Sequence, residues 1–375
     1  MQSGKSIALA ISLGCKFQNP PYFFHRQKTI FPYMKGQPIA TAKMQAYLTA
    51  CRNPENIHRP VLIHGPSGVG KSHLSNEFER ELRKLNYEIS RFDDSGVIRT
   101  VADFQSQIKP LLEYANPYRK TAIFLDECQN LIGNSPNGIS KIVHAQMRAL
   151  VYPHGDIASP KHWVQISVQS EEIISVNFQN VLLVFMTNEP DKLETTASTK
   201  NGEHPFRRRM FSIELEKYPE EMIPEIIGEM VEAMGLKINE CCRKTIGRYH
   251  RGTMEALSVV LSMYKTLFPN ERLITKDRLL QAARLTNFLP RGLIKREGRL
   301  LHLLSQNSGK FAYSYIATQL NCDAKAVQSA ISYLSSQRTN GEHTPFVYAS
   351  GPNIHLTENG RIYLAAIQKE GFSVI

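Results

Sequence analysis

One glycine-rich loop constrains the fold of this chain more than any other feature. Residues 61–74 read VLIHGPSGVGKSHL: an apolar segment, then a glycine-rich turn, then Lys71 and Ser72. Glycines allow the backbone to curl until successive N–H groups converge on one point, and the positive end of a following helix is directed there too. The spacing G-x-x-x-x-G-K-S between a predicted strand and a predicted helix therefore predicts a loop that binds the phosphates of a nucleoside triphosphate.

This loop supplies most of the predicted nucleotide contacts. Lys71 is expected to reach the outer phosphates, and the Ser72 hydroxyl is expected to bind Mg²⁺. The residues predicted to contact the nucleotide here are Gly65, Pro66, Ser67, Gly68, Val69, Gly70, Lys71, Ser72 and His73.

An acidic pair further along the chain completes the predicted metal site. The segment TAIFLDE ends in Asp126 and Glu127, at the carboxyl end of a predicted strand, where ligands of open parallel sheets gather. Asp126 is expected to hold Mg²⁺ through water. Glu127 is expected to polarise the attacking water, since hydrolysis needs a base that the metal does not consume.

Two more polar segments border predicted strands. VLLVFMTNEP contains Thr187 and Asn188, whose amide either positions the lytic water or begins an Asn-Glu-Pro turn. HPFRRRMFSIEL places Arg207 and Arg209 just before another strand. These cations either stabilise charge on a transferring phosphoryl group, in the same chain or in a neighbouring subunit, or form a solvated charge run.

Composition indicates a multidomain protein that works in water. The chain has 375 residues, 42% of them apolar, and a mean hydropathy of -0.30. No run approaches the roughly 18 apolar residues of a membrane span. The short apolar run in KSIALAISLGC fits a first helix or strand better than an export signal. The six cysteines include no CxxC pair, which is typical of a reducing compartment, so we expect a cytoplasmic protein.

The charge balance favours a polyanionic partner. The formal net charge is +11 and the pI is near 9.3. From Glu271 to Arg299, eight basic residues stand against three acidic ones. Such a surface favours nucleic acid as a partner, although solvated basic helices also occur in proteins that bind none.

The pattern of predicted elements divides the chain into a lead-in and three regions. Residues 1–35 are rich in proline and aromatic side chains and show no sustained period. Over residues 36–215, short apolar runs alternate with helical segments, which predicts a parallel sheet covered by helices on both faces. Residues 216–293 read as successive helices, and residues 294–375 change character again.

The order of these segments resembles the AAA+ ATPase family. The phosphate loop, IFLDE, a strand ending in Thr-Asn, an arginine cluster and a helical lid follow one another as in that family, over about residues 34–300. MKGQPIATAKMQAYL is similar to the segment that packs on adenine, so the resemblance assigns Gly36 and Gln37 to the base.

The same resemblance implies roles for three more residues. Asn188 takes the position of the residue called sensor one, and Arg209 takes that of an arginine finger acting in trans, with Arg207 as reserve. Such a finger implies a ring, usually a hexamer.

The C-terminal segments narrow the resemblance. REGRLLHLLSQN, SYIATQLNCDAKAVQSAISYLSSQR and PFVYASGPNIHLTENGRIYLAAI read as a helix, a helix-turn-helix and a hairpin, which is a winged-helix pattern. With RYHRGTMEALSVVL and ITKDRLLQAARL before them, they resemble the RuvB-like bacterial Holliday-junction branch-migration motors. The implied fold is a P-loop AAA+ α/β core at 36–215, an all-α lid at 216–293 and a winged helix at 294–375. Winged helices also mediate protein contacts.

Two departures limit this likeness. Branch-migration motors have an arginine called sensor two three residues after a lid glycine, whereas here Gly252 is followed at that spacing by Glu255. A carboxylate near the γ-phosphate would repel it, so either Arg251 substitutes or the lid responds weakly to nucleotide. The predicted hairpin tip, 351–353, also lacks the arginine that the motors insert into a DNA groove.

The span 152–181 is longer than such a motor needs. VNFQNVLLVFMTN resembles the region before sensor one in Clp-type unfoldases, and the insert would be a β-hairpin. It contains Trp163 beside Lys161 and His162, a mix that suits stacking on a base, although tryptophan is more often a core residue. FDDSGVIRT lacks the aromatic-apolar-glycine trio of unfoldase pore loops, which argues against action on polypeptide.

The sequence therefore predicts an ATP-hydrolysing AAA+ ring motor that remodels or translocates DNA in recombination or replication. ATP and Mg²⁺ are the predicted cofactors. The predicted partners are other copies in a hexameric ring, DNA and a recruiting protein, with no membrane contact. Two alternatives stay open. One is an ATP-gated DNA-binding switch, an initiator or helicase loader, which the missing sensor-two arginine favours. The other is a Clp-type protein remodeller.

Overall fold

A parallel β-sheet carries the predicted nucleotide loop. The computed structural model describes residues 34–53, 59–114, 119–132, 140–151, 155–156, 159–160, 163–167, 173–193, 209–251, 253–306, 310–339, 342–351 and 353–373. The strands up to residue 214 are β1 (Val61–His64), β2 (Tyr87–Phe92), β3 (Lys120–Leu125), β4 (Gly155–Asp156), β5 (Ser159–Pro160), β6 (Trp163–Ser167), β7 (Ile173–Asn177), β8 (Val181–Thr187) and β9 (Phe211–Glu214). The helices of this region are α1 (Pro38–Cys51), α2 (Lys71–Lys84), α3 (Val101–Asp103), α4 (Lys109–Tyr114), α5 (Gln129–Ile132) and α6 (Lys141–Val151).

The central sheet has the order β2–β3–β8–β1–β9, and every neighbouring pair is parallel. Parallel neighbours cannot be joined by a tight turn, so crossover segments connect them, and only β2 and β3 are consecutive in the chain as well as in the sheet. Because the strands are parallel, the segments that follow β1, β3 and β8 emerge at the same edge of the sheet. That edge receives the glycine-rich loop, the acidic pair and the Thr-Asn segment.

Burial explains why these runs form strands. All residues of β1 and β8 are buried, as expected for strands covered on both faces. Helix α2 covers one face with an apolar stripe at helical spacing, formed by Leu74, Phe78 and Leu82. The Phe78 ring meets the Phe124 ring of β3 edge to face at 6.1 Å between centroids. The predicted sheet with flanking helices is therefore confirmed.

The segment between α6 and β8 contains the predicted hairpin. Strands β6 and β7 pair antiparallel, with Trp163 opposite Asn177. The structure describes only the backbone of Trp163, so its predicted stacking stays a prediction. Lys161 and His162 lie outside the described residues. Likewise, the lead-in up to residue 33 lies outside the described residues.

Helices dominate the next region, as predicted for a lid. They are α7 (Ile223–Ala233), α8 (Glu240–Gly247), α9 (Glu255–Leu267) and α10 (Lys276–Arg284). Short strand pairs accompany them: β10 (Lys237–Ile238) with β11 (Leu273–Ile274), and β12 (Phe288–Leu289) with β13 (Leu293–Ile294).

The C-terminal region is a winged helix, as predicted. Its elements are α11 (Lys295–Gln306), β14 (Lys310–Ala312), α12 (Tyr313–Gln319), α13 (Ala324–Ser335), β15 (Arg338–Thr339), β16 (Glu342–His343), β17 (Val347–Ser350), β18 (Asn353–Leu356) and α14 (Glu358–Lys369). The strands β14–β18–β17 form an antiparallel sheet, and Gly351 turns the hairpin with a φ of 58°.

The lid and the winged helix share one hydrophobic core. Ile227 and Leu257 of the lid belong to the same buried cluster as Leu301 and Leu334 of the winged helix. The residues from Met34 onward form a single compact unit. No helix in the described part of the chain is both long and apolar enough to cross a membrane.

Candidate nucleotide site

The glycine-rich loop adopts the curled backbone that the sequence predicted. Gly68 and Gly70 have φ values of 74° and 94°, in the left-handed region that favours glycine. Gly70 precedes the first residue of α2, so the amino end of that helix opens into the loop. Ser72 and His73 are exposed in its first turn, where a helix end attracts anions.

Lys71 lies at the centre of the loop. Its side chain is 9% exposed, and its Nζ donates hydrogen bonds to the Gly65 and Pro66 carbonyl oxygens at 2.8 Å and 2.7 Å. Burial lowers the pKa of Lys71, and the negative charges of Asp126 and Glu127 oppose this shift. The loop and the acidic pair are therefore close enough to interact electrostatically.

The acidic pair follows β3 in a tightly held turn. The Asp126 backbone N–H donates to the Phe92 carbonyl, and the Asp126 carbonyl accepts from the Ser95 N–H at 3.0 Å. The Glu127 N–H donates to the Asp126 carboxylate at 2.8 Å, and Glu127 has a φ of 50°. Burial raises the pKa of Asp126, while the hydrogen bond from Glu127 lowers it.

The Glu127 carboxylate is held by two amides. Asn188 Nδ2 donates to Glu127 Oε1 at 3.0 Å, and Gln129 Nε2 donates to Glu127 Oε2. Gln129 Oε1 in turn accepts from the Thr187 hydroxyl at 2.6 Å. Two successive residues at the end of β8 thus hold the carboxylate, one directly and one through Gln129. The sequence offered Asn188 as a residue that positions the lytic water, and here its amide contacts the Glu127 carboxylate directly.

The predicted base-binding segment reaches the loop through Tyr218. Gln37 Nε2 donates to the Glu216 carbonyl at 2.6 Å, and Gln37 Oε1 accepts from the Glu216 N–H at 3.2 Å. A Cβ at Gly36 would lie 2.8 Å from the Tyr218 ring, and the Tyr218 hydroxyl donates to the Val69 carbonyl at 2.8 Å. Gly36 and Gln37 therefore lie beside the loop, at the start of the lid.

The lid contacts the glycine-rich loop directly. The Met254 N–H donates to the Gly68 carbonyl at 2.8 Å, and a Cβ at Gly68 would lie 2.8 Å from Glu255 Cβ. Glu255 also belongs to the charges that raise the pKa of Lys71 against the effect of burial. The residue at the spacing of the missing arginine therefore lies next to the phosphate loop and carries the opposite charge.

Arg251 is engaged elsewhere. Its Nη1 lies 3.0 Å from Glu297 Oε1, and its guanidinium lies 3.3 Å from the centre of the Tyr333 ring. Both partners belong to the winged helix. The suggestion that Arg251 substitutes for the missing arginine is not supported by this geometry, because its charge is already paired. Gly252 lies outside the described residues.

The two predicted arginine positions differ in what the structure describes. Arg209 is half-buried and precedes β9, whereas Arg207 lies outside the described residues. Phe211 pairs with Val61, at the start of β1, so Arg209 is at the edge of the sheet away from its own phosphate loop. β1 alone spans about 13 Å, since a strand rises roughly 3.3 Å per residue.

The oxygen donors present suit magnesium. The residues that the structure describes contain no cluster of three or more His, Cys, Asp or Glu side chains fit to hold a metal. Ser72 and Asp126 instead offer one hydroxyl and one carboxylate. Mg²⁺ is usually held by one or two such groups together with phosphate oxygens and water. The donor set therefore fits a metal that arrives with a triphosphate.

Sequence reasoning missed three residues of this site. Gln129, which is 6% exposed, contacts Glu127 directly. Thr187, noted in the sequence only as the residue before Asn188, acts through Gln129. Tyr218 lies in the connection between β9 and the lid. The one signal in the sequence was the position of Gln129, two residues after Glu127.

Comparisons with known proteins agree with this geometry. Residues 61–204 match the family model "ATPase family associated with various cellular activities (AAA)". Among solved structures, RuvB from Thermotoga maritima, the Holliday junction branch migration motor, superposes with a TM-score of 0.54 at 18% identity, over 91% of this chain and 96% of that one.

The sequence relatives match a smaller part of this chain than the solved structure does. The replication factor C large subunit of Methanococcoides burtonii is 30% identical over 114 residues, 30% of this chain. The protein SUPPRESSOR OF K(+) TRANSPORT GROWTH DEFECT 1 of Arabidopsis thaliana is 23% identical over 243 residues, 62% of this chain. The matched segments span 22% and 51% of these relatives' own lengths. Residues 61–204 therefore match an AAA ATPase domain, and the chain has the AAA+ fold that is also seen in RuvB.

Proposed function

We propose that the chain is an ATP-hydrolysing AAA+ motor that works as a ring and remodels or translocates DNA. One observation carries this proposal: the glycine-rich loop after β1 and the acidic pair after β3 emerge at the same sheet edge, on either side of β8, whose Asn188 contacts Glu127, in one compact unit with a winged helix. Winged helices often bind DNA, and the net charge of +11 favours such a polyanion.

The residues of the site divide the work of hydrolysis. The loop N–H groups and Lys71 bind the phosphates, and Ser72 and Asp126 are the proposed ligands of Mg²⁺. That ion neutralises charge on the β- and γ-phosphates when it is bound. Glu127 accepts a proton from the attacking water, and its two amide partners fix the direction of its carboxylate. Gly36 and Gln37 position the base.

The position of Arg209 supports catalysis between subunits. Because Arg209 lies at the far edge of the sheet from its own loop, it is better placed to reach a neighbour's triphosphate than its own. A contact of this kind joins one surface to a different surface of the next subunit, and repetition of it closes a ring. A hexamer is the proposed assembly.

The basic run from Glu271 to Arg299 is only partly available to DNA. Arg278 pairs with Glu271, and Arg284 donates two hydrogen bonds to the Glu370 carbonyl. Arg272, Lys276, Arg296 and Arg299 are exposed. These exposed cations are candidates for phosphate contacts.

A nucleotide-gated switch is the second candidate, and Glu255 favours it. A carboxylate at the phosphate loop weakens the coupling between the lid and the triphosphate, which suits slow hydrolysis that resets a DNA complex. A translocation assay on duplex DNA separates the two: a motor moves stepwise along the duplex, whereas a switch binds and releases it without movement.

The proposal is tested by the ATPase rate with and without duplex, branched and single-stranded DNA. Each measurement is made at about 50 mM and about 200 mM salt, because phosphate contacts weaken steeply over this range. We expect DNA to stimulate hydrolysis, and salt to reduce the stimulation. A rate that ignores every DNA but rises with an unfolded polypeptide would identify a Clp-type remodeller instead. A pull-down with the purified chain would identify a recruiting partner, and the same ATPase assay would then show whether that partner changes the rate.

A further inference from the structure

One face of the winged-helix sheet carries side chains that the ATPase site does not use. In the pair of β17 and β18, Tyr348 lies opposite His355, and Ser350 lies opposite Asn353. Side chains alternate between the two faces of a strand, so these four share one face. We call this set of four residues the outer sheet face.

The two faces of the sheet differ in burial. Val347 and Ile354, at alternate positions, are fully buried in the core of the winged helix. Tyr348, in contrast, keeps 50% of its surface exposed. Among the residues that the structure describes, no hydrogen bond or ion pair engages a side chain of the outer sheet face. Tyr348 and Ser350 are exposed and His355 and Asn353 half-buried, so the face is open to a ligand.

The two rings of this face are already aligned for stacking. The Tyr348 and His355 rings lie 4.8 Å apart between centroids at an angle of 11°. This is an offset stack, in which each ring holds the other in one orientation. β17 is the last strand of the β14–β18–β17 sheet, so none of the strands that the structure describes borders Tyr348 on the side away from His355. A third flat ring would extend the stack there.

We propose that the outer sheet face binds the unpaired nucleotides of a single strand, with a base stacked on Tyr348. Every base has a flat π face, so such a contact tolerates any sequence. Ser350 and Asn353 supply a hydroxyl and an amide for base edges or phosphates, and the outer sheet face contains no carboxylate. The inference rests on the proposed function, because it names the strand state that a DNA motor holds.

The chemistry of the face favours an unpaired strand over the other partners. In a duplex the base faces are stacked on one another and cannot meet Tyr348. A protein partner usually buries aliphatic or aromatic anchors in an apolar pocket, whereas the neighbours of Tyr348 on this face are polar. The turn of the hairpin at Gly351 also offers no cation for a groove.

Tyr315 provides a matched control in the same domain. It is 43% exposed and stacks on Phe311 at 4.7 Å between centroids and 14°. Phe311 pairs with Ile354, whose side chain is on the buried face, so this second stack lies off the outer sheet face. Tyr315 thus matches Tyr348 in residue type, exposure and stacking but not in position.

The test measures binding of the full chain, without nucleotide, by fluorescence anisotropy. The probes are labelled oligothymidylate, oligouridylate and a mixed-sequence duplex, and the variants are Tyr348→Ala, Tyr348→Phe and Tyr315→Ala. We expect Tyr348→Ala to weaken oligothymidylate binding by roughly tenfold, with the salt dependence and the duplex affinity unchanged. Tyr348→Phe should bind like the wild type because it keeps the ring, and Tyr315→Ala should also be unaffected. Equal thermal unfolding temperatures confirm that the variants fold.

Each outcome decides the inference. If Tyr348→Ala loses equal affinity for oligouridylate and oligothymidylate, the ligand is any unpaired strand, RNA or DNA. If it loses affinity for oligouridylate but not for oligothymidylate, the assignment to DNA is overturned. Normal oligothymidylate binding by Tyr348→Ala, or an equal loss in Tyr315→Ala, overturns the inference itself. In that case the proposed function survives if duplex or branched DNA still stimulates hydrolysis. If no DNA binds or stimulates, both fail.

Discussion

Glu127 shows how much of the proposed chemistry depends on one oriented side chain. Its carboxylate accepts from Asn188 and Gln129, one amide for each oxygen. Hydrogen bonds to a charged group are stronger than those between neutral groups, so this pair restricts the carboxylate to a narrow range of directions. A base that must meet one water molecule benefits from that restriction.

Glu127→Gln is expected to leave ATP binding intact and to lower kcat by at least about 100-fold, since an amide of the same shape cannot accept a proton. Lys71→Ala is the contrasting variant and should abolish binding itself. Titration with a fluorescent ATP analogue gives the affinity, and phosphate release gives kcat. Normal hydrolysis by Glu127→Gln would remove Glu127 from the mechanism.

Gln129→Leu is expected to lower kcat roughly tenfold while KM for ATP changes little, because it removes a hydrogen bond to the carboxylate without touching the phosphate loop. Thr187→Val should give a smaller loss in the same direction, since Gln129 then keeps its contact with Glu127 but loses its own partner. A rise in KM without a fall in kcat would place Gln129 in nucleotide binding instead.

Glu255→Gln is expected to tighten ATP binding about fivefold, because it removes a negative charge beside the phosphate loop. The gain should shrink as salt rises. Glu240→Gln is the control, since Glu240 is also acidic and in the first turn of a lid helix but pairs with Arg243 and Lys244. Equal affinities of the wild type and Glu255→Gln would show that the carboxylate points away from the triphosphate.

At the scale of elements, the junction between the lid and the winged helix depends on a buried ion pair. Glu297 is 2% exposed, and burial raises its pKa while Arg251 lowers it. Its carboxylate also accepts from the Ile294 N–H at 2.9 Å. Arg251 therefore compensates a charge that would otherwise be costly in this interface.

Arg251→Met is expected to destabilise the chain by about 2 kcal/mol near pH 7, because it leaves Glu297 buried without its cation. The loss should be smaller near pH 5. A carboxyl whose folded pKa is raised binds more protons in the folded state than in the unfolded state, so stability falls as pH rises through that range. Thermal unfolding at both pH values measures this.

Arg248→Met is the control for that experiment. Arg248 pairs with Glu370 at 2.8 Å, but the two side chains are 46% and 30% exposed, so the pair contributes little and its loss should depend weakly on pH. A loss in Arg251→Met that is equal at both pH values would mean that stacking on Tyr333, and not charge, holds the junction.

The elements of the site were predictable and their contacts were not. β1, β3 and β8 were visible as apolar runs ending in polar residues, because burial on both faces leaves a continuous pattern. The bond from Thr187 to Gln129 and the pair of Arg251 with Glu297 join residues far apart in the chain. No local pattern encodes such contacts, since they arise only when the elements pack. The sequence showed a glutamate in place of the sensor-two arginine, but only the structure shows that Glu255 lies against Gly68.

At the scale of the whole molecule, one core connects the lid at the glycine-rich loop to the proposed DNA-binding region. The lid touches the loop through Met254 and Gly68, and the same lid shares its buried cluster with the winged helix. Close-packed cores transmit displacement because they do not deform continuously. A shift of the lid at the loop would therefore move the winged helix with it.

The last prediction concerns the ring and uses two inactive variants. Arg209→Ala lacks the finger but keeps Glu127, and Glu127→Gln lacks the base but keeps Arg209. If the finger acts on the neighbouring subunit, an interface between an Arg209→Ala site and a Glu127→Gln finger is intact. Random mixing of equal amounts creates such interfaces at about a quarter of positions. We expect the mixture to recover ATP hydrolysis at up to about a quarter of the wild-type rate, although each variant alone is inactive.

Dilution supplies the control for this complementation. A finger acting in trans makes the specific activity of the mixture fall as the protein is diluted below the concentration at which the ring assembles. A mixture that stays inactive while both variants still assemble, as judged by sedimentation, would place Arg209 in its own subunit's structure rather than at a neighbour's phosphate. Recovery that persists at dilutions where sedimentation shows only monomers would contradict the ring, since a single chain carries only one of the two groups.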